Sequence, residues 1–147
     1  MHAGGGTGEH RGISVPGGAS CVLPEVEVTT RTPRVTIGLP VYNGEDFLES
    51  ALDTLLAQTY TDFELVIADN ASTDRTGEIC RRAARDARVR YHRNDENVGA
   101  MRNFNRVFEL ARGEYFMWAA HDDAHEPDYL RRCVSPSAAG AMTRATE

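Results

Sequence analysis

The stretch Tyr115-Phe116-Met117-Trp118-Ala119-Ala120-His121-Asp122-Asp123 joins an apolar run that reads as a buried strand to two adjacent carboxylates. In an open α/β sheet the ligand crevice lies beyond the carboxyl ends of the strands, so acids placed there face the ligand. Side-by-side carboxylates repel each other unless a cation or a proton intervenes. An all-oxygen ligand set with no cysteine close by favours a hard divalent ion, Mg²⁺ or Mn²⁺, which commonly completes its shell with a substrate's phosphates. The first expectation is therefore a metal-bound diphosphate. The competing role is plainer: Asp122 and Asp123 would solvate a loop or cap the helix that starts near Pro127.

Working back from that stretch, strands and helices alternate. Arg34-Val35-Thr36-Ile37-Gly38-Leu39 predicts a short β-branched strand stopped by Pro40. Phe47, Leu48, Ala51, Leu52, Leu55 and Leu56 recur at helical spacing and predict an amphipathic helix from about Glu45 to Gln58. Phe63 to Ala68 reads as a second strand ending in Asp69-Asn70. The next helix runs from about Asp74 to Arg85, capped by Ser72, Thr73 or Asp74 and buried through Ile79, Cys80, Ala83 and Ala84. Val89 to His92 is a short third strand. A helix from about Gly99 to Arg112 follows, with Met101, Phe104, Phe108 and Ala111 on one face and a stop at Gly113. Glu114 to Trp118 supplies the fourth strand. This alternation implies βαβ units: an α/β fold with a parallel sheet of about four strands and helices on both faces.

The flanks differ in character. Residues 1–33 are rich in Gly, Ser, Thr and Pro and read as a disordered leader. Residues 34–134 form the expected domain. From 135 to 147 a small-residue segment without apolar periodicity reads as an unstructured tail, so the chain looks cut short.

Composition excludes several chemistries. The 147 residues allow one domain at most, and a net charge of −6 without a basic cluster argues against nucleic acid as a partner. All 16 basic residues are arginine, which removes P-loop nucleotidases and every Schiff-base lysine mechanism. No apolar run is long enough to span a bilayer, and no signal peptide is evident. Three scattered cysteines, Cys21, Cys80 and Cys133, make a reducing cytoplasm the expected location, with peripheral membrane attachment as the variant. His121 and His125 are four apart, but no third zinc ligand accompanies them. No glycine-rich fingerprint follows the first strand, which disfavours a dinucleotide-binding oxidoreductase.

A parallel sheet brings three loops to one edge: Pro40-Val41-Tyr42-Asn43, Asp69-Asn70 and His121-Asp122-Asp123. Tyr42 beside a rigid proline offers a face on which a base can stack, worth roughly 1–3 kcal/mol in comparable contacts. Asp69 can accept a base imino hydrogen, and Asn70 can both donate and accept. The plain alternative for both is an Asx-turn or cap ahead of the second helix.

Val35 through Glu45, Gln58-Thr59-Tyr60, Phe63 through Asp74, Asn97-Val98-Gly99 with Arg102-Asn103, Arg112-Gly113-Glu114-Tyr115 and His121-Asp122-Asp123 together resemble the family 2 glycosyltransferases, in order and spacing from about Arg34 to Cys133. The resemblance implies a Rossmann-like GT-A fold, a nucleotide-diphosphate-sugar donor and inversion at the anomeric carbon. Carried over, it puts Pro40 and Tyr42 at the base with Asp69 and Asn70 close by. It puts Asp122 and Asp123 on the DXD-like motif that holds the metal, Mg²⁺ or Mn²⁺, and the donor's ribose and diphosphate.

Two departures matter. Many relatives have a second Asp where this chain has Asn70, which loosens the expectation of uracil, and the acidic motif reads His-Asp-Asp in place of Asp-X-Asp. In this family the general base is a carboxylate well downstream of that motif. Glu126 and Asp128 lie too close to the metal loop to serve, so no catalytic residue is named. The expected function is metal-dependent transfer of a sugar from a UDP- or dTDP-sugar to a glycan, lipid or small-molecule acceptor, as in polysaccharide biosynthesis. The alternative is an inactive, truncated nucleotide-binding remnant or interaction module.

Overall fold

In a strand, successive side chains point to opposite faces, and here the two faces differ sharply in bulk. The computed structural model describes residues 31–135 and 143–144. Four parallel strands, β1 (Val35–Val41), β2 (Phe63–Asp69), β3 (Val89–Arg93) and β4 (Tyr115–Trp118), lie in the order β3-β2-β1-β4. A two-residue strand, β5 (Thr143–Arg144), pairs antiparallel with β4 inside the segment expected as a tail. The expected leader, up to residue 30, lies outside the described residues.

Odd-numbered residues of β1 and β2, among them Ile37, Leu39, Leu65 and Ile67, form one fully buried face. Helices α1 (Leu48–Leu56) and α2 (Thr76–Ala83) cover it through Leu48, Leu52, Leu55, Ile79 and Cys80, and Leu130 of the short α4 (Tyr129–Cys133) completes the cluster. Each fully buried Leu or Ile contributes ~1.5–3 kcal/mol. The even-numbered face carries Thr36, Gly38, Glu64, Val66 and Ala68 and, among the described residues, receives one helix, α3 (Ala100–Glu109), through Asn103 and Val107. A Cβ at Gly38 would collide with Phe116 and Val107, so this close approach requires glycine.

The helix periodicity of α3 needs correction. Met101 is 80% exposed and Phe104 and Phe108 are nearly half exposed. The helix is pinned instead by Asn103, whose Nδ2 donates to the Ala68 carbonyl at 2.8 Å. Phe104 and Phe108 then lie to the side, Phe104 tilted against Trp118 and Phe108 edge-to-face with Phe116, with centroids 5.2 and 5.1 Å apart.

Pro40 does not stop β1; the strand continues through Val41 while pairing with β2. The neighbouring β4 leaves the ladder after Gly38, whose carbonyl accepts from Ala119 N–H. Val41 turns its carbonyl the other way, to Asn70 N–H of the β2 segment. By alternation Pro40 faces the side that β4 has vacated, where its missing N–H costs no ladder bond.

At the opposite end of the sheet Glu64, 3% exposed, accepts from the Thr36 hydroxyl (2.8 Å), the Arg112 backbone N–H (2.9 Å) and the Arg112 guanidinium (3.0 and 2.9 Å). Burial pushes its carboxyl up, but these hydrogen bonds outweigh burial and hold it below the usual range. Gly113 N–H donates to Thr36 Oγ1 at 2.8 Å, and a Cβ there would come within 2.6 Å of the Thr36 nitrogen. The Arg-Gly pair thus fastens the start of β4 onto β1 and β2.

Candidate donor-binding site

The loops that leave β1 and β2 lock onto each other before any ligand is considered. Asn43, at φ 49°, accepts from Thr73 N–H through Oδ1 (2.8 Å) and donates its own N–H to Ser72 Oγ (2.9 Å). Gly44 N–H donates to Thr76 Oγ1 at 2.9 Å; Glu45 N–H donates to Asp74 Oδ2 at 3.2 Å, and Arg75 N–H returns a bond to the Glu45 carboxylate at 3.0 Å. Asp74 also accepts from Thr76 N–H at 2.9 Å at the start of α2. Partial burial raises the Asp74 carboxyl, and the bonds from Thr76 and Glu45 more than offset it, leaving it below the usual range. Spending Glu45 and Asp74 in this lock is why α1 and α2 start later than their apolar spacing predicts.

Tyr42 rides on this frame, 46% exposed. A cavity of about 500 Å³ opens beside it, over the carboxyl ends of β1 and β4 and the first turn of α3. Pro40, Tyr42 and Asn70 line it together with His121, Asp122 and Asp123, so the structure brings most of the predicted site residues to one place. Phe104, Trp118, Asn97 and Asn103, absent from the predicted set, complete its wall. Alternation along β4 was the available signal for Trp118, which must share a face with Phe116. For Asn97 it was its place in Asn97-Val98-Gly99. A larger hollow of about 730 Å³ lies between the end of β3 and α3, but its arginines and acids are intermixed and the paired carboxylates are not in it.

Asp69 does not line the cavity. It is the last residue of β2, and its side chain points to the α1/α2 face, opposite to that of Asn70. Fully buried, its carboxylate accepts from Ser72 N–H (2.8 Å), Tyr91 Oη (2.9 Å) and Arg93 Nη1 (2.6 Å). Burial and this carboxylate push the Tyr91 phenol up to about 12. The Asx-turn considered from sequence is thus formed, and both oxygens of the acid are engaged. Asn70, 2% exposed, is also engaged: its Oδ1 accepts from Val98 N–H and Asn94 Nδ2, each at 3.0 Å, and its Nδ2 donates to Asn97 Oδ1 at 2.9 Å.

The acidic end is the reverse. Asp122 and Asp123 are exposed, and neither carboxylate has a hydrogen-bond or ion-pair partner among the described residues. The turn that carries them rests on the β1 loop: a Cβ at Gly44 would approach the His121 ring to 2.7 Å. No three His, Cys, Asp or Glu side chains cluster as a metal site among the described residues. Two free carboxylates without a third ligand suit a hard cation that completes its shell with water and phosphate oxygens, and do not suit zinc.

Glu126 pairs with Arg132 at 3.1 Å, and Asp128 accepts from Thr59 Oγ1 at 2.7 Å; neither lines the cavity. Gln58 fixes this segment, accepting from Leu130 N–H at 2.9 Å and donating to the Glu126 carbonyl at 2.8 Å. That gives Gln58-Thr59 a structural part to play.

The family model described as "Glycosyl transferase family 2" matches residues 36–141. Glycosyltransferase GlyA of Streptococcus pneumoniae is 36% identical over 98 residues, 66% of this chain and 14% of that protein. An uncharacterized glycosyltransferase, EpsJ, of Bacillus subtilis is 39% identical over 93 residues, 62% of this chain and 26% of that one. Among solved structures, the mannosyltransferase PcManGT from Pyrobaculum calidifontis, in complex with GDP-Man and Mn²⁺, superposes with a TM-score of 0.63 at 30% identity, covering 73% of this chain and 34% of that one. TarS of S. aureus, with a TM-score of 0.64 at 24% identity over 68% of this chain and 31% of that one, shares the fold. The chain spans 32% or less of the length of these curated relatives.

Proposed function

The chain belongs to glycosyl transferase family 2 and has its GT-A fold, and on that premise we propose that it supplies the donor-binding part of a metal-dependent, inverting sugar transfer from a nucleoside-diphosphate donor to an acceptor hydroxyl. One observation carries the reading: a cavity with aromatic walls at the carboxyl ends of the strands is bounded by two adjacent carboxylates that have no partner among the described residues. Tyr42 and Pro40 form the surface for the base. Asp122 and Asp123 face the diphosphate and would hold Mg²⁺ or Mn²⁺, which when bound neutralises charge developing on the leaving diphosphate. The Mn²⁺ in the mannosyltransferase complex supports a divalent ion, while UDP or dTDP as the donor nucleotide rests on the sequence resemblance.

No carboxylate besides Asp122 and Asp123 lines the cavity among the described residues, so a base for the acceptor hydroxyl has to come from elsewhere. Absence of a positioned base typically costs ~10²–10⁴ in rate.

Titration calorimetry of the purified chain tests the reading. UDP binds in the presence of Mn²⁺ and does not bind in chelator; equal binding in both would remove the metal from the proposal. Mixed with a UDP-sugar and candidate acceptors, the 147-residue chain transfers no sugar detectable by mass spectrometry. Robust transfer would mean that Glu126, Asp128 or another chain acts as the base, and metal-independent binding without transfer would favour the remnant reading.

A further inference from the structure

The turn that carries Asp122 and Asp123 has little backbone bonding of its own. His121 and Asp122 are its central residues, and it is closed by Asp123 N–H donating to the Ala120 carbonyl at 3.4 Å, long for an N–H···O bond. The chain is anchored before the turn by Ala119 N–H on the Gly38 carbonyl (2.9 Å) and after it by His125 N–H on Thr54 Oγ1 (3.2 Å). Between these anchors, no other hydrogen bond fixes residues 120–124 among the described residues. Backbone bonding alone therefore sets the direction of the two carboxylates weakly.

His121 supplies a further contact. Its ring fills the space that a side chain at Gly44 would take: a Cβ there would lie 2.7 Å from His121 Cδ2, 3.1 Å from His121 Cγ and 2.8 Å from Val41 Cγ2. Backbone conformation does not call for glycine at 44, because among the described glycines only Gly99 has a positive φ; the close approach does. Gly44 is also a firm seat. It is buried, its N–H is bound to Thr76 Oγ1 at 2.9 Å, and its carbonyl accepts from Phe47 and Leu48 N–H at 3.2 and 2.9 Å. The ring nitrogens of His121 have no partner among the described residues, and His121 forms no three-ligand cluster with Asp122 and Asp123, so its hold on the frame is one of shape.

We propose that His121 is a positioning residue: its ring, seated on Gly44, orients the acidic turn so that Asp122 and Asp123 present their carboxylates to one divalent ion. Gly44 stands two residues after Tyr42 on the locked loop, so the same seat ties the acidic end of the cavity to the frame that carries the tyrosine. Ligands held loosely by less than 1 Å bind poorly, and residues that orient metal ligands without touching the metal typically carry about 10–100-fold in affinity. The inference rests on reading Asp122 and Asp123 as the metal-binding pair, and it adds what aims them.

UDP binding to the full chain with Mn²⁺, measured by calorimetry with a denaturant titration alongside, tests it. His121→Ala should weaken UDP about tenfold while changing folding stability little. His121→Phe keeps a flat ring and has no nitrogen to offer a metal or a phosphate, and it should recover most of that loss. Gly44→Ala should weaken UDP by a similar factor by pushing the ring off its seat. In the Gly44→Ala/His121→Ala double variant the two losses should not multiply, because no ring is left to displace. If Gly44→Ala does not fold, the two His121 variants still decide. His121→Phe binding as poorly as His121→Ala would mean that the imidazole acts through its nitrogens and would overturn the positioning role, as would losses that multiply in the double variant. If wild type binds UDP only with Mn²⁺ and both His121 variants bind it equally well, the positioning role is wrong and the metal site stands. If the folded wild type binds no UDP, or binds it equally in chelator, the metal-site reading itself fails and the inference falls with it.

Discussion

The two ends of the cavity are built on opposite terms. Around Tyr42, Asp69, Asn70, Asn43 and Asp74 are engaged by backbone N–H groups and by neighbouring side chains such as Tyr91, Arg93 and Asn97, while the Tyr42 ring has no partner among the described residues. At the acidic end, the Asp122 and Asp123 carboxylates have no partner among the described residues. A saturated network makes a rigid frame, whereas unpaired adjacent carboxylates are costly to hold together and become favourable only when a cation arrives. The same residue type, aspartate, thus serves structure at position 69 and, in the function proposed, binds ligand at 122 and 123.

The sharpest way to break this contrast is to remove acids from each end and measure stability and binding separately. Asp69→Ala strands Ser72 N–H, Tyr91 Oη and Arg93 and should cost about 3 kcal/mol in chemical denaturation. Asp122→Ala with Asp123→Ala should stay within about 0.5 kcal/mol of the parent, as exposed substitutions do, while abolishing Mn²⁺-dependent UDP binding. A large stability loss in the double variant would show that the acidic turn is part of the frame.

A second test asks whether rigidity extends to the far end of the sheet. Glu64 has a folded carboxyl below its usual value of 4.5, so its stabilising bonds are fully present above that pH and are lost as pH falls through the lowered folded value. Glu64→Gln should be less stable than the parent at pH 7, and the gap should narrow progressively below about pH 4.5 in denaturant titrations. A gap that does not change with pH would mean that the Arg112 contacts contribute nothing through charge. The smallest effect is expected at Ala71, whose φ of 59° places a non-glycine residue in the left-handed region between the two locked loops. Ala71→Gly should raise stability by up to about 1 kcal/mol if the frame imposes that conformation; a loss would point to a packing contribution from its methyl group.

Much of this was legible in the chain. Alternating apolar runs located all four parallel strands and the helices between them, and the strand-end rule placed Pro40, Tyr42 and the acid pair together. What failed has a common physical source, the direction in which a side chain leaves the backbone. Asp69 and Asn70 are neighbours in sequence, but period-two alternation at the end of β2 sends them to opposite faces, so Asn70 lines the cavity and Asp69 does not. On α3, hydrophobicity pointed at Met101, Phe104 and Phe108, yet the helix is set down by Asn103, because the strip of sheet beneath it carries glycine and alanine and leaves the Ala68 carbonyl to be reached. A polar residue deciding the face of a helix has no signature in periodicity.

Pro40 has an effect on what the crevice excludes. Where β4 departs, Pro40 has no ladder partner on that side among the described residues, and an unpaired strand end is the kind of backbone on which a foreign peptide can continue a ladder. A newcomer seeking a backbone donor at Pro40 finds a pyrrolidine ring in its place. One residue's chemistry thus withholds the donor that a continued ladder would need at the edge of the cavity.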